Sequence, residues 1–380
     1  MQYRKFGKLD WKASALGFGC LRFPTLSGER FGADIDEAET IRMIRHAIDN
    51  GVNYVDTASN YHGGRSEAVV GKALQEGYRE KVRLATKLRL GVVQGASDFD
   101  RLLDEQLTRL QTDHIDFYLL HSVHKARWHN VVLKHNLLGK AEAALADGRI
   151  RHFGFSMHDD FKVFEEILNG SDLWSFCQIQ YNYMDIENQA GTRGLKLAAS
   201  KGLAVVVMEP LLGGRLVDPP NEVRAAMEAF PVQRPVAEWA LGWLWDQPEV
   251  SVVLSGMSTM EQVKENLQFA DRSRVHSFTD ADQQLIAQVR EMYRTRSVIP
   301  CNRCGYCMPC PNGVNIPGNL DLYNYAHLFD DVAGARFKYQ FYLNADQRSA
   351  SCIECHECEA LCPQKIAISE LMPKVSALLG

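Results

Sequence analysis

The sequence lacks the features that would tie the chain to a membrane, to secretion or to a nucleic acid. No apolar run reaches the roughly 18–20 residues of a transmembrane helix, and residues 203–208 form one of the longest runs. The first residues, MQYRK, contain no signal-peptide core. The 42 basic and 47 acidic side chains give a net charge of −5, which does not attract nucleic acid or an anionic membrane. We therefore expect a cytoplasmic chain with neither partner.

Low-complexity tracts are also missing, and the composition excludes a disordered chain. Hydrophobic residues make up 46% and charged residues 23% of the 380 residues, as in ordinary globular proteins. At roughly 150 residues per domain, this length predicts two or three domains, unless a barrel of about 250 residues or more forms one of them. The composition changes near residue 295, where residues 294–300 resemble a linker. We therefore predict one domain over residues 1–295 and a second over residues 296–380.

Short, mostly apolar and β-branched runs alternate with helical patterns through the first domain. Such runs are typical of parallel strands buried on both faces, and they occur at residues 16–21, 53–58, 83–88, 115–121, 152–156, 177–181, 204–210 and 250–255. Right-handed crossovers between these units predict a closed (β/α)8 barrel of the TIM type. The rival fold, an open doubly wound sheet, calls for a Gly-x-Gly-x-x-Gly turn after the first strand. The residues GFGCLR at 17–22 do not supply that turn.

Cysteine is rare in the barrel region, where Cys20 and Cys177 stand alone, but it is concentrated in the last 80 residues. Two runs lie there: Cys301, Cys304, Cys307 and Cys310, then Cys352, Cys355, Cys358 and Cys362. The second run matches the spacing of bacterial ferredoxins, and the first departs from it by one residue in its last gap. Without a secretion signal a disulfide framework is not expected, and the zinc alternative usually shows separated Cys-x2-Cys pairs. We predict two [4Fe–4S] clusters in a small, mainly helical, ferredoxin-like domain.

The ferredoxin-like spacing also implies which cysteines share a cluster. In two-cluster ferredoxins the fourth cysteine of each run ligates the other cluster. By this rule one cluster takes Cys301, Cys304, Cys307 and Cys362, and the other takes Cys352, Cys355, Cys358 and Cys310. Between the runs, seven aromatic side chains within residues 323–342 are expected to pack as the apolar core of this domain.

Catalytic groups of (β/α)8 barrels lie at the carboxyl ends of the strands. Asp56, Lys87 and His121 stand at the ends of predicted strands two, three and four, and Tyr61 follows Asp56 in the next loop. The surrounding stretches are GVNYVDTASNY at 51–61, SEAVVG at 66–71, ATK at 85–87, IDFYLLH at 115–121, GFS at 154–156, QIQYN at 178–182 and EN at 265–266. In these stretches residues 1–295 resemble the aldo-keto reductase superfamily. The whole chain is similar to the branch of that superfamily with a C-terminal two-[4Fe–4S] domain.

The resemblance implies reversible hydride transfer between a nicotinamide cofactor and a small aldehyde, ketone or alcohol, with Tyr61 as general acid and base. An ordinary tyrosine, with a pKa of about 10, is a poor acid at neutral pH. The ammonium of Lys87, held by Asp56, is expected to lower the pKa of Tyr61. His121 is expected to donate to the carbonyl oxygen and to orient it.

The resemblance also implies a set of cofactor-binding positions: Ser156, Gln178, Met208, Ser255, Gly256, Gln262 and Asn266. Gly256 and the N–H groups that follow it lead into a helix, whose start suits a phosphate. Many family members bind a 2′-phosphate with Lys and Arg at the positions of Gly256 and Gln262, and here Lys264 could replace them only if it pointed inward. The choice between NADH and NADPH stays open, and we expect the preference to be weak or to favour NADH.

Two further classes of function are alternatives to a carbonyl reductase. The chain could pass electrons from a substrate or nicotinamide through the clusters to a ferredoxin- or flavodoxin-like carrier. Against this, hydride moves two electrons, a cluster accepts one, and no flavin signature bridges the two. The chain could also be a redox-sensing or binding protein with an inactive barrel, but the four catalytic positions argue against a loss of catalysis.

Overall fold

The protein is described by a computed structural model that covers residues 1–29, 31–296, 298–301, 307–362 and 364–380. These residues form two compact units. The barrel unit comprises Met1–Leu216 and Arg234–Thr279, and the C-terminal unit comprises Val217–Gln233 and Asp280–Gly380. Packing groups residues 280–295 with the C-terminal unit, and the domain boundary at residue 295 stays a prediction.

The described strands are, in chain order, β1 Tyr3–Lys5, β2 Lys12–Ser14, β3 Leu16–Gly19, β4 Tyr54–Asp56, β5 Arg83–Arg89, β6 Ile115–Val123, β7 Ile150–Met157, β8 Trp174–Gln180, β9 Ala204–Met208 and β10 Val250–Gly256. Strands β3 to β10 form a closed barrel in the order β10-β3-β4-β5-β6-β7-β8-β9. All neighbours are parallel, and β10 closes the ring by pairing with both β3 and β9. The predicted TIM-type barrel is therefore confirmed, with every predicted strand in place.

The described helices are α1 Glu37–Asp49, α2 Ser66–Ala73, α3 Ser97–Leu110, α4 Lys125–Arg127, α5 Leu137–Ala146, α6 Phe161–Asn169, α7 Gly191–Ser200, α8 Asn221–Glu228, α9 Val236–Trp245, α10 Met260–Arg272, α11 Asp280–Thr295, α12 Ile316–Leu328, α13 Val332–Tyr342, α14 Glu357–Ala360 and α15 Ile368–Leu379. Helix α1 begins where the Asp36 carboxylate accepts the N–H of Glu39, and it ends before Gly51 at a φ of +97°. Helix α8 was not predicted from the sequence, because this helix buries only Val223 and Met227, too few to show a helical period.

Within the described parts of the chain, no helix is long and apolar enough to span a membrane.

The hairpin of β1 and β2 closes the end of the barrel where the strands begin. Its connecting loop inserts Phe6, which is fully buried, between aromatic side chains from the strand starts. The Phe6 ring lies 4.6 Å from that of Phe117 and 5.8 Å from that of Tyr54, measured between ring centroids. This packed floor leaves only the opposite end, formed by the carboxyl ends of the strands, for a ligand.

In the C-terminal unit, α12, α13 and α15 surround an apolar core that includes Leu320, Tyr339 and Met372. Several cysteines of both runs pack against this core. The expectation that the aromatic residues of 323–342 form a core is wrong for three of them, because Phe337, Phe341 and Tyr342 are 51%, 69% and 64% exposed. Phe337 and Phe341, four residues apart on α13, stack with ring centroids 5.6 Å apart, and Tyr342 is the last residue of the helix.

Candidate active site

Four side chains named from the sequence come together at the carboxyl end of the barrel. Asp56 ends β4, Lys87 lies within the last residues of β5, and His121 lies near the end of β6. Parallel pairing brings the strand ends side by side, with Asp56 opposite Ala85 and Lys87 opposite Leu119. Tyr61 opens a short 3-10 turn, Tyr61–Gly64, that follows β4.

Lys87 is the centre of this group. Its side chain is 1% exposed, and its ammonium donates to Asp56 Oδ1 at 2.6 Å and to the Thr57 carbonyl at 2.7 Å. The same nitrogen lies 4.9 Å from the centre of the Tyr61 ring. Contacts this short are typical of charge-assisted hydrogen bonds. The lysine is therefore held against the tyrosine by a buried carboxylate and a backbone carbonyl.

Within this buried pair, each charge opposes the effect of burial on the pKa of the other. Burial raises the pKa of Asp56, and the nearby Lys87 partly offsets that rise. For Lys87, burial works against the ammonium, but Asp56 and Tyr61 outweigh it and raise the pKa of the lysine. Lys87 is consequently a permanent cation beside Tyr61 at neutral pH.

Tyr61 behaves differently from the sequence-based expectation. Burial raises its pKa above 10; Lys87 lowers it and Asp56 raises it, so that the net direction is upward. Lys87 thus acts in the expected direction, but the loss of solvent outweighs the lysine. Tyr61 is protonated at neutral pH, which is the form that donates a proton to a carbonyl oxygen.

His121 lies edge-on to Tyr61, with ring centroids 6.0 Å apart and an interplanar angle of 78°. Burial lowers the pKa of His121 well below 6.5, and the nearby Lys87 lowers it further. The imidazole is thus neutral at pH 7. In that state one ring nitrogen carries an N–H donor and the other is an acceptor.

We expect the kcat/KM of carbonyl reduction to stay level between about pH 6.5 and pH 9. His121 gains a proton only well below its ordinary pKa, and Tyr61 loses its proton only above 10, so neither group titrates in this window. A pH profile measured at saturating cofactor checks this. An inflection near pH 6.5 that disappears in His121→Gln would contradict the neutral imidazole.

A buried polar network beneath Lys87 holds β5 in position, and sequence analysis did not assign it. The fully buried Glu67 carboxylate accepts from Thr86 Oγ1 at 2.6 Å, from Gln106 Nε2 at 2.6 Å and from Arg109 Nε at 2.7 Å. Gln106 Nε2 also lies within hydrogen-bonding distance of the Lys87 carbonyl. The stretch SEAVVG contained the signal, since a carboxylate on the buried side of a helix requires partners.

The predicted nicotinamide positions lie on the neighbouring strands β7, β8 and β9. Ser156 pairs in register with Gln178, and Gln180 pairs with Met208. Among the described residues, Gln178 Oε1 and Asp56 Oδ2 are buried acceptors without a hydrogen-bond partner. The Ser156 hydroxyl accepts the Ser122 N–H at 2.9 Å. A ligand with N–H or O–H donors could supply the hydrogen bonds that these two buried acceptors lack.

The predicted phosphate positions lie at the end of β10 and the start of α10. Asn266 donates to the Ser255 hydroxyl at 3.0 Å, so this pair supports the loop between them. Gln262 Oε1 accepts the Ser258 N–H at 2.8 Å, so the side-chain oxygen of Gln262 is already hydrogen-bonded to the loop before α10. Lys264 is exposed on α10. Many family members have a Lys and an Arg at the positions of Gly256 and Gln262. Lys264 of α10 does not take their place here.

Arg22, which the sequence analysis did not single out, lies against Gly256. A Cβ on Gly256 would come within 2.6 Å of Arg22 Cγ, so the glycine makes room for the arginine stem. The guanidinium donates to the Gly213 carbonyl at 3.1 Å and lies over the Phe31 ring at 5.1 Å. Arg215 also approaches Gly213: its Nη1 lies 3.1 Å from the position that a Cβ on Gly213 would take. Two arginines thus meet beside the end of β10 from separate loops.

In the C-terminal unit, cysteines of both runs line one cavity. Cys307 and Cys310 of the first run face Cys352, Cys355 and Cys358 of the second. Cys362 packs against the apolar core of the unit but not around this cavity. Cys304 lies outside the described residues, as does Pro363. Among the residues that are described, no three His, Cys, Asp or Glu side chains converge on one metal-ion position.

Comparisons with known proteins agree with this architecture. The model of the aldo/keto reductase family matches residues 15–290, and that of a 4Fe-4S dicluster domain matches residues 300–367. An uncharacterised oxidoreductase of Bacillus subtilis (strain 168) is 28% identical over 308 residues, which are 72% of this chain and 93% of the relative. The NADH-specific methylglyoxal reductase of Escherichia coli (strain K12) is 26% identical over 334 residues, which are 75% of this chain and 97% of that protein.

Solved structures show the same likeness over the barrel. The holo form of an aldo-keto reductase from Bacillus halodurans is 28% identical, with a TM-score of 0.63 over 76% of this chain and 96% of its own. An aldo-keto reductase from Klebsiella pneumoniae, in complex with NADPH, shares the fold with a TM-score of 0.61 at 23% identity, over 77% of this chain and 96% of its own. Since the family model spans more than half of its residues, this chain belongs to the aldo/keto reductase family, and a 4Fe-4S dicluster domain follows its barrel.

Proposed function

We propose that the barrel catalyses reversible, nicotinamide-dependent reduction of an aldehyde or ketone, with Tyr61 as the general acid and base. The observation that carries this proposal is the convergence of Asp56, Lys87, Tyr61 and His121 at three neighbouring strand ends, with Lys87 bonded to Asp56 at 2.6 Å. Each of these side chains alone fits a structural role. Together they supply a proton donor, a cation beside it and a second donor for the same oxygen.

Each of the four side chains has its own role in the proposed reaction. Tyr61, protonated at neutral pH, donates its proton to the carbonyl oxygen, and in the reverse direction its phenolate accepts one. Lys87 stabilises the phenolate, and Asp56 keeps Lys87 charged and in place. Neutral His121 orients the carbonyl oxygen through an N–H. Removal of Lys87 would leave the Asp56 carboxylate beside the phenol, which would hinder alcohol oxidation more than carbonyl reduction.

The residues at the barrel mouth fit a nicotinamide cofactor, which supplies or takes up hydride when bound. Gln178 Oε1 and Asp56 Oδ2 are buried acceptors with no partner among the described residues, and a carboxamide and a ribose offer the donors they lack. Met208, half-buried at the end of β9, presents a thioether to a ring bound there. Ser255 and Asn266 hold the loop that leads to α10.

We assign the dinucleotide phosphates to the arginines beside Gly256 and Gly213. Arg22 lies against Gly256, where many family members have a basic side chain, and its guanidinium donates to the Gly213 carbonyl. We assign this guanidinium to the pyrophosphate, which NADH and NADPH share. A weak preference between the two cofactors follows, in line with the sequence-based expectation.

Arg22→Met tests the phosphate assignment, because methionine keeps the apolar stem over Gly256 and removes the charge. We expect both NADH and NADPH to bind roughly 10- to 100-fold more weakly, as a charge-assisted hydrogen bond of about 1.5–3 kcal/mol would be lost. Titrations of intrinsic fluorescence measure both dissociation constants, and Arg101→Met on the exposed side of α3 is the control. Selective weakening of NADPH would instead assign Arg22 to the 2′-phosphate.

For the dicluster domain we propose two [4Fe–4S] clusters with exchanged fourth ligands. Support comes from one cavity, lined by Cys307 and Cys310 of the first run and by Cys352, Cys355 and Cys358 of the second, which brings the two runs together. Such clusters transfer single electrons when bound. The second cluster, with Cys301, Cys304, Cys307 and Cys362, rests on the ferredoxin-like spacing, because Cys304 lies outside the described residues.

Electron exchange with an external ferredoxin- or flavodoxin-like carrier is a second candidate function. The observation in its favour is exposure around the second run: Cys355 is exposed, and the neighbouring Ile353 and Leu361 are 63% and 59% exposed. Exposed apolar residues beside a redox centre suit a docking partner better than a structural cluster.

One experiment separates these functions. The protein is purified anaerobically, its iron and sulfide are counted, and NADH or NADPH is added with and without a panel of aldehydes and ketones. Nicotinamide oxidation that requires a carbonyl, without bleaching of the cluster absorbance, supports the reductase. Bleaching by nicotinamide alone supports electron transfer, and an absence of both reactions would contradict both functions.

A further inference from the structure

Two arginines flank His121 at the barrel mouth. Arg89 ends β5 and pairs in register with His121 on β6, so the two residues lie side by side. Arg89 is two residues past Lys87 and therefore shares the face of β5 on which Lys87 lies. Arg127 ends the short helix α4, which follows β6, and its Nη1 donates to the carbonyl of Ser122, the residue after His121. The two guanidinium groups thus approach the catalytic histidine from two different elements.

Arg89 and Arg127 both lack an acidic partner within the described part of the chain. Among the described residues, no aspartate or glutamate lies within 4.0 Å of the guanidinium nitrogens of Arg89 or Arg127. The carboxylate of the nearby Asp159 accepts the backbone N–H groups of Lys125 and Asp160 and forms no ion pair with either arginine. Arg127 is also half-buried. A half-buried cation without a counterion carries a desolvation cost that a bound anion would offset.

Charges of both signs surround this site. Asp56 pairs with Lys87 through the 2.6 Å contact. Arg89 and Arg127 lie close to His121, whereas the carboxylates of Asp159 and Glu209 lie near His124 and His158. Burial lowers the pKa values of His121, His124 and His158, which keeps these three rings neutral at pH 7. Burial and the proximity of Arg89 lower the pKa of Arg127, as expected for two like charges placed close together.

Arg89 and Arg127 lie too far from the phosphate-binding residues to bind the phosphates of the cofactor. In the barrel order β6 lies four strands from β10, on the opposite side of the ring, while Arg22 and Gly256 lie at the end of β10. The nicotinamide positions Ser156 and Gln178 stand on β7 and β8, on the other side of His121 from Arg89. The arginine pair therefore faces the part of the mouth left for the substrate.

Resting on the carbonyl chemistry proposed above, we propose that the substrate is an aldehyde or ketone that also bears a carboxylate or phosphate group, which Arg127 and Arg89 bind while His121 and Tyr61 hold the carbonyl oxygen. Arginine suits this role because its planar fork binds either anion with two parallel hydrogen bonds. The positions of the two arginines at one strand end and in the adjoining loop set the distance between the anionic group and the carbonyl.

Matched substrate pairs test this inference. Succinic semialdehyde is compared with its methyl ester, and glyceraldehyde 3-phosphate with glyceraldehyde, by steady-state kinetics on the full-length holoprotein. We expect at least one charged substrate to have the higher kcat/KM, and the pair that shows the preference identifies the anion. We expect Arg127→Gln to lower kcat/KM for that substrate roughly 10- to 100-fold. Turnover of its neutral partner should change by less than about threefold, and Arg127→Lys should recover part of the loss.

Two controls separate this inference from the proposed function. Arg101→Gln, on exposed α3, should leave both members of each pair unchanged. Equal kcat/KM for charged and neutral partners in the wild type, or equal losses for both in Arg127→Gln, would overturn the inference while leaving the reductase intact. If no carbonyl is turned over, the reductase proposal fails, and calorimetric titration with succinate and with inorganic phosphate then decides. Binding of either anion that Arg127→Gln abolishes supports an anion site, and no binding of either anion overturns it.

Discussion

Replacement of Tyr61 by phenylalanine is expected to lower the turnover of every carbonyl substrate by about 10²–10⁴-fold, the usual worth of a general acid. The Tyr61 ring lies against both Lys87 and His121: the Lys87 ammonium is 4.9 Å from its centre, and the ring centroids of Tyr61 and His121 are 6.0 Å apart. Cofactor binding should stay within about twofold of the wild type, because the Tyr61 hydroxyl is not among the groups assigned to the cofactor. Steady-state kinetics and cofactor titration measure the two effects separately.

Tyr54→Phe is the matched control for that substitution. Tyr54 belongs to the packed floor around Phe6, at the opposite end of the barrel, and its buried hydroxyl has no partner among the described residues. Removal of this hydroxyl should leave both turnover and cofactor binding unchanged. Near wild-type turnover by a folded Tyr61→Phe variant would eliminate Tyr61 as the acid, and the assignment would then have to move to His121.

The second large effect is expected for Cys310→Ala in the C-terminal unit. Cys310 lines the same cavity as Cys352, Cys355 and Cys358, so its loss should remove the fourth thiolate of the cluster held by the second run. We expect about half of the iron to be lost and the cluster of Cys301, Cys304 and Cys307 to be retained. Because ligation energy contributes to folding when no site is preformed, the C-terminal unit should also unfold at a lower temperature.

Anaerobic iron analysis with electron paramagnetic resonance distinguishes the two clusters in this variant. Cys177→Ala is the control, since this cysteine is buried in β8 of the barrel, away from either run. Loss of the cluster at Cys301–Cys307, with the other one retained, would mean that each run serves its own cluster. In that case the cavity that joins Cys310 to the second run would have only a packing role.

The barrel itself was predictable from the sequence because its signals are local. A strand buried on both faces must be apolar along its whole length, so runs such as those containing Val55 and Val207 reveal strands without any knowledge of their neighbours. Eight such strands separated by helices leave few topologies, and right-handed crossovers reduce them to a closed ring. The strand ends then gave Asp56, Lys87 and His121, since function in this fold is confined to one end of the barrel.

The electrostatics and the ligand-specific contacts were decided only by tertiary structure. The direction of the Tyr61 pKa depends on how much solvent is lost and how closely Lys87 approaches, and neither quantity can be obtained from residue spacing. Arg22 reaches Gly256 across more than two hundred residues of chain, and Arg89 and Arg127 meet beside His121 only because β5 and β6 pair in one register. The sequence by itself therefore determined the barrel and indicated the residues that we propose carry its chemistry, because apolar patterns and strand ends are local properties. The contacts that set charge and specificity form between distant segments, so they came into view only once those segments had been brought together.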